Sequence, residues 1–218
     1  MKPVPSRYKG IIFDMDNTIL HSRIQFPAMK LDVFQLLQEY KAVESDFPIH
    51  DHTIATLLES TRASGRLSAE QEVAVWQRVA RWEREGMENA GLEPGALELL
   101  NELHGRFHLA ILTNNAYQAA VEALETTGTL AYFNTVVGRE QMGALKPSPA
   151  GIHYIRGLFP ELQEQEWLSV GDAWIDGHAA QQAGVDFIRY RSRDEEFVKR
   201  DIRSEGRMDS LLDLLRFL

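Results

Sequence analysis

Residues 11–18 read IIFDMDNT, an apolar run that breaks off into two aspartates one residue apart, Asp14 and Asp16. A strand ending here buries Ile11 to Phe13 in a sheet and lifts both carboxylates out at its carboxyl edge, where open α/β sheets hold their ligands. Alternate side chains of an extended chain share a face, so the two carboxylates point into one small volume. Like charges that close repel unless a cation lies between them. The spacing therefore predicts a hard divalent metal beside one carboxylate that attacks and another that carries a proton. Taken alone, the stretch also reads as a strand-end turn, since Asp and Asn are turn residues.

Three later segments supply what phosphoryl chemistry needs. HLAILTNN, residues 108–115, is a second apolar strand ending in Thr113 and Asn114, a hydroxyl and an amide able to hold phosphate oxygens. The same Thr-Asn-Asn also suits the cap of a helix starting near Ala116. In ALKPSP, residues 144–149, Pro147 biases Lys146 toward an extended conformation, although a lone lysine is ordinarily a solvated surface charge. In WLSVGDAWIDGHAAQQAG, residues 167–184, a strand turns at Gly171 and presents Asp172, with Asp176 four residues on. Two such carboxylates complete an oxygen-rich magnesium site that keeps waters; without partners they mark only a helix start.

In this order the four segments resemble the haloacid dehalogenase superfamily, in its capped phosphatase branch of phosphoglycolate phosphatase type, over nearly the whole chain. The first motif, Asp-x-Asp-x-Thr, falls on Asp14, Asp16 and Thr18, the second on Thr113, the third on Lys146, and the fourth, Gly-Asp-x-x-x-Asp, on Gly171, Asp172 and Asp176. Asn17 stands where many members carry Gly. The resemblance implies a magnesium-dependent phosphatase acting on a small phosphorylated metabolite. On that resemblance Asp14 is the expected nucleophile, forming an aspartyl-phosphate, and Asp16 is expected to protonate the departing oxygen and then activate water. Magnesium is held by the Asp14 carboxylate, the Asp16 backbone carbonyl and Asp172, with Asp176 acting directly or through water. Thr113, Asn114 and Lys146 hold phosphate oxygens, Lys146 also shields Asp14, and Thr18 orients the loop and Asp16.

Single residues rank the competing activities. Asp16 argues against a dehalogenase, which needs no acid for its leaving group. A phosphonate hydrolase needs a Schiff-base lysine in the cap, where only Lys30 and Lys41 are available. A phosphomutase of the β-phosphoglucomutase type keeps the same residues and remains the alternative. A non-catalytic binding protein on this fold has no need of the full charged set.

The fold class implied is α/β, a Rossmann-like parallel sheet flanked by helices with an inserted α-helical cap. Expected strands are Gly10–Phe13, His108–Leu112, Thr135–Val137, Trp167–Val170 and Asp186–Tyr190, with an amphipathic helix over Met208–Leu218. The core domain is placed at residues 1–20 and 92–218 and the cap at 21–91, where no comparable strand is expected. Inside the cap, Val33, Leu36, Leu37 and Tyr40 recur at helical spacing, as do Ile54, Leu57, Leu58 and Thr61. Ser68 with Gln71 forms a capping box, and Trp76 and Trp82 read as helix packing. Pro48 interrupts the helices and leaves a polar turn in which Asp51 suits a helix cap, while His50 and His52 are the candidates for substrate selectivity.

The composition bounds the rest. The 218 residues suffice for one substantial core with an insert, and no apolar run approaches the ~20 residues of a membrane span. A net charge of −9 with no basic stripe excludes a general nucleic-acid binder, and the absence of cysteine excludes thiolate catalysis and cysteine metal sites. With no signal-peptide pattern before the first strand, a cytoplasmic location is expected.

Overall fold

The computed structural model describes residues 6–192 and 194–218. They divide into two compact units: residues up to Ser22 with Ala90–Leu218, and the insert Arg23–Asn89.

The first unit is built on eight strands: β1 (Gly10–Phe13), β2 (Leu20–His21), β3 (Gly91–Leu92), β4 (His108–Leu112), β5 (Thr135–Val137), β6 (Trp167–Gly171), β7 (Asp186–Tyr190) and β8 (Gly206–Met208). Six of them form a sheet in the order β5-β4-β1-β6-β7-β8, with every neighbouring pair parallel. Its central strand is apolar on both faces because helices cover both, and Ile11, Ile12 and Phe13 are all buried. Each such side chain contributes roughly 1.5–3 kcal/mol. Ile12, Leu112, Val137, Trp167 and Phe187 pack into one cluster with residues of the covering helices. The parallel α/β fold expected from the sequence is the fold found.

Two expectations are corrected. The tail is not an α-helix from Met208: Gly206–Met208 is the edge strand β8, and Leu211–Arg216 winds as a 3-10 helix. Leu211 and Leu214 lie three apart, so that winding aligns both with the core, where both are buried. Strand also occurs before Pro94, as β2 and β3 pair antiparallel where the chain leaves and re-enters this unit. These strands are two residues long, too short for a period-2 pattern. Glu93, just past β3, anchors the pair. Its buried carboxylate accepts from the Tyr190 hydroxyl at 3.0 Å and Arg191 Nη1 at 2.9 Å, with His21 Nδ1 at 3.3 Å.

The insert carries α1 (Phe26–Glu39), α2 (Ile54–Ala63) and α3 (Ala69–Met87). α3 begins at the Ser68–Gln71 capping box read from the sequence. α2 is capped by Thr53 with Thr56 and not by Asp51, which is exposed in the 3-10 turn Ile49–Asp51. Met29, Val33, Leu37, Leu57, Val75 and Val79 are buried. Trp76 and Trp82 are only half-buried, and Trp82 Nε1 donates to Asp32 at 2.7 Å, joining α3 to α1 beside the Arg78–Asp32 ion pair.

Helices α4 (Ala96–Leu103), α5 (Tyr117–Thr126), α6 (Ala150–Leu158), α7 (Trp174–Gln182) and α8 (Asp194–Lys199) complete the first unit. Among the described residues no helix is long and apolar enough to cross a membrane.

Candidate active site

Sheet register decides which residues meet. Phe13 lies opposite Ile111 on β4 and Val170 on β6, so the three strands end together and release Asp14, Thr113 and Asp172 at one edge. The Asp14 N–H still donates to the Val170 carbonyl at 2.9 Å, and the Thr113 N–H to Val137 at 3.0 Å, which ties the first residue of each loop to the sheet. After Asp14 the chain turns back tightly through Asn17, whose φ of 57° lies in the left-handed region that Gly and Asn tolerate. That turn brings the buried Thr18 beneath Asp14, its hydroxyl 3.4 Å from Asp14 Oδ2. Gly171 is required by close approach, since a Cβ there would lie 2.6 Å from the Asp176 side chain.

Lys146 is the centre of the arrangement. Its ammonium donates to Asp14 Oδ1 at 2.6 Å, Asp176 Oδ1 at 2.7 Å and the Leu112 carbonyl at 2.8 Å, with the side chain only 3% exposed. An ammonium has three N–H groups, and all three are engaged. Lys146 is therefore placed as the counter-charge of Asp14, and holding phosphate would require it to give up one of these bonds. Asn114 also differs from expectation. Its amide forms a reciprocal pair with the Lys146 backbone, donating to the carbonyl and accepting from the N–H at 2.9 Å each. The side chain thus fixes the lysine loop in place of reaching for phosphate. His178 on α7 lies 3.2 Å from the Pro147 carbonyl through Nδ1, on the same loop.

Asp14, Asp172 and Asp176 each offer an oxygen within 4.8 Å of the others. Burial pushes the Asp14 carboxyl up to about 7 against the pull of Lys146, with Asp176 and Asp16 adding to the rise. Burial, Asp14 and Asp176 push Asp172 up to about 9. For Lys146, burial alone would depress the ammonium, but Asp14 and Asp176 reverse this and raise it. Three ionised carboxylates against one ammonium leave the charge of one divalent cation uncompensated, and a cation between them opposes the burial and the repulsion that raise Asp14 and Asp172. An all-oxygen donor set of this kind fits a hard divalent metal. Asp176 is also tied to its own helix, since its Oδ2 accepts from the Ala173 N–H at 3.0 Å at the start of α7.

The Asp16 carboxylate is not part of that group. It turns to the buried Asn115, whose Nδ2 donates to Asp16 Oδ2 at 2.7 Å. The buried Thr113 hydroxyl oxygen accepts the Asn115 N–H at 3.1 Å. Asn115 was missed in reading the sequence, where it looked like the second half of a helix cap. The available signal was a second polar residue directly after a buried strand.

In the insert, His50 is exposed and His52 half-buried. The His52 ring packs on Phe47 at 4.8 Å between centroids, and its carbonyl accepts from Lys30 Nζ at 2.8 Å. Lys30 is thereby tied within the insert.

A sequence profile of the family described as haloacid dehalogenase-like hydrolase matches residues 11–190, from β1 to the last residue of β7. The chain belongs to that family. It is an enzyme of the hydrolase class. A phosphoglycolate phosphatase of Cereibacter sphaeroides is 26% identical over 221 residues, covering 96% of this chain and 98% of its own length. Among solved structures, a haloacid dehalogenase-like hydrolase from Bacteroides fragilis superposes with a TM-score of 0.72 at 20% identity, over 95% of this chain and 99% of that one. The HAD-hydrolase YfnB of Bacillus subtilis, bound to magnesium, gives 0.66 at 23% identity over 98% and 99%. Both share the fold of this chain.

Proposed function

We propose that this hydrolase cleaves a small phosphate monoester in two steps through an aspartyl-phosphate on Asp14, with magnesium as its metal. The observation that carries this reading is the knot at the sheet edge, in which the Lys146 ammonium bridges Asp14 and Asp176 while Asp172 completes the carboxylate group. Asp14, Asp172 and Asp176, with the Asp16 backbone carbonyl, would hold the ion. When bound it supplies charge neutralisation that lets an anionic nucleophile approach an anionic phosphate.

The residues themselves do the rest. Lys146 aims Asp14 and draws it toward the ionised form against the burial that would protonate it, a shift that would be complete with the cation bound. Asp14 attacks phosphorus in line. Asp16 protonates the leaving oxygen and, as a carboxylate again, removes a proton from the water that hydrolyses the intermediate. The Thr113 hydroxyl and the Asn114 backbone N–H hold phosphate oxygens. Selectivity among esters is assigned to the turn at residues 44–53 of the insert, the cap domain in this reading, because the sheet-edge residues meet only phosphate and metal.

The test is a phosphate-release screen across phosphorylated metabolites with magnesium, starting from phosphoglycolate, the ester named for the Cereibacter relative. Sugar-phosphate isomerisation is followed in parallel. Magnesium-dependent release from a small monoester supports the reading. Rapid isomerisation with little release would replace it with a phosphomutase.

A further inference from the structure

Asn115 is fixed on three sides. Its side-chain Nδ2 donates to Asp16 Oδ2 at 2.7 Å, its backbone N–H to the Thr113 hydroxyl oxygen at 3.1 Å, and its carbonyl accepts from the Arg139 N–H at 2.9 Å. The residue is 5% exposed, so the Asp16 contact is shielded from competing water. A primary amide nitrogen only donates. The oxygen it holds, Oδ2, must therefore offer a lone pair, and because the carbonyl oxygen of a carboxyl group accepts better than its hydroxyl oxygen, the contact favours a proton carried by Asp16 on Oδ1. A carboxyl torsion is otherwise broad and two-fold, so nothing intrinsic to aspartate distinguishes its two oxygens.

We propose that Asn115 is the positioning residue for proton transfer, selecting Oδ1 of Asp16 as the atom that gives and takes the proton. The inference rests on the phosphatase reading and assigns a residue within it. In the first step the Asp14–phosphorus bond forms as the phosphorus–alcohol bond breaks. The electron pair stays on the alcohol oxygen, which takes the proton from Asp16 Oδ1. In the second step a water oxygen attacks phosphorus and passes its proton to Oδ1. The aspartyl–phosphorus bond breaks and Asp14 regains its carboxylate. Without the amide, Asp16 rotates and carries its proton on the misdirected oxygen for part of the time, a loss of orientation and not of chemistry.

A leaving group that needs no proton separates this role from a merely structural one. 4-Nitrophenolate departs as the anion, whereas the alkoxide of phosphoglycolate, or of another alkyl ester found in the screen, does not. The experiment measures kcat/KM, which reports the first step, for both kinds of ester with wild type, Asp16→Asn, Asn115→Ala and Asn115→Ser. Asn115→Ala is expected to lose about 30-fold on the alkyl ester, a share of the 10²–10⁴ that a positioned acid contributes, and less than about threefold on the nitrophenyl ester. Asn115→Ser retains a donor and should show the same split with a smaller loss; it also serves if the alanine variant does not fold. Asp16→Asn should give the same split at larger size. Equal losses on both esters, or no loss on either, in folded Asn115 variants would overturn the proposal. If Asp16→Asn splits the esters and the Asn115 variants do not, only the role of Asn115 falls. If Asp16→Asn shows no split, the assignment of Asp16 as the acid falls, and this inference with it.

Discussion

The sheet edge and the insert's polar turn are both rich in charge and handle it in opposite ways. At the edge, Asp14, Lys146 and Asp176 are almost wholly buried and bonded to one another at 2.6–2.7 Å. In the turn, Glu44, Asp46, His50 and Asp51 are all exposed. Buried charges cost several kcal/mol each unless paired, so the edge holds its shape only as a complete set. Exposed charges cost little and stabilise little. An arrangement of the first kind suits chemistry common to every phosphate ester, and one of the second kind can vary with the ester without unfolding the protein.

The sharpest way to break this contrast is Asp14→Asn. The amide keeps the shape and can still accept from Lys146, but it is no nucleophile. kcat should fall by a thousandfold or more, about 4 kcal/mol of barrier, while the melting curve stays cooperative. A variant retaining more than about a tenth of wild-type kcat would remove Asp14 from the nucleophile role. Next in size is Lys146→Met, which leaves Asp14 and Asp176 buried without their counter-charge. Chemical denaturation should show a loss of about 3–5 kcal/mol, the range for breaking a buried pair from one side. A loss below about 1 kcal/mol would mean the edge tolerates unpaired charge as the turn does.

The carboxylates themselves sharpen the comparison. Among the described residues Asp172 makes neither of the structural bonds of Asp176, which both anchors Lys146 and caps α7. Asp172→Ala should therefore raise the magnesium concentration needed for half-maximal activity with little change in melting temperature. Asp176→Ala should act chiefly on stability, by roughly 2–3 kcal/mol for a lost buried hydrogen-bonded charge. Activity titrations alongside thermal melts decide it, and the reverse pattern would exchange the two roles. The smallest effects belong to the turn. His50→Ala should change stability by about 0.5 kcal/mol or less, the figure for surface positions, and His52→Ala by about 0.5–1.5 kcal/mol through its lost packing on Phe47, yet each should reorder kcat/KM among phosphate esters. A uniform effect on all esters would place selectivity elsewhere in the insert.

The sequence made five of the parallel strands legible because each is a short, largely apolar run bounded by turn or helix signals, while their order in the sheet comes from the structure. The β2–β3 pair was illegible because two residues carry no periodicity, and β8, Gly-Arg-Met, lacks the β-branched residues that mark the equally short β5, Thr-Val-Val. The positions of the site residues were readable, but the division of labour among them was not. Lys146, Asn114 and Asp16 were read by the chemistry of their side chains, and the structure assigns their bonds by contacts 30 to 132 residues distant in the chain. Asn115 illustrates the limit best. Its neighbour Thr113 is part of a motif, whereas its own partner lies 99 residues away, where no local pattern points.

The central claim is that Asp14 becomes phosphorylated during turnover. Enzyme mixed with its best ester and magnesium, quenched in acid within one turnover and reduced with borohydride, would carry homoserine wherever an aspartyl-phosphate stood. Mass spectrometry should find that change at residue 14, dependent on substrate and absent in Asp14→Asn. Phosphate release at full rate with residue 14 unmodified, or with the change at another aspartate, would contradict the account.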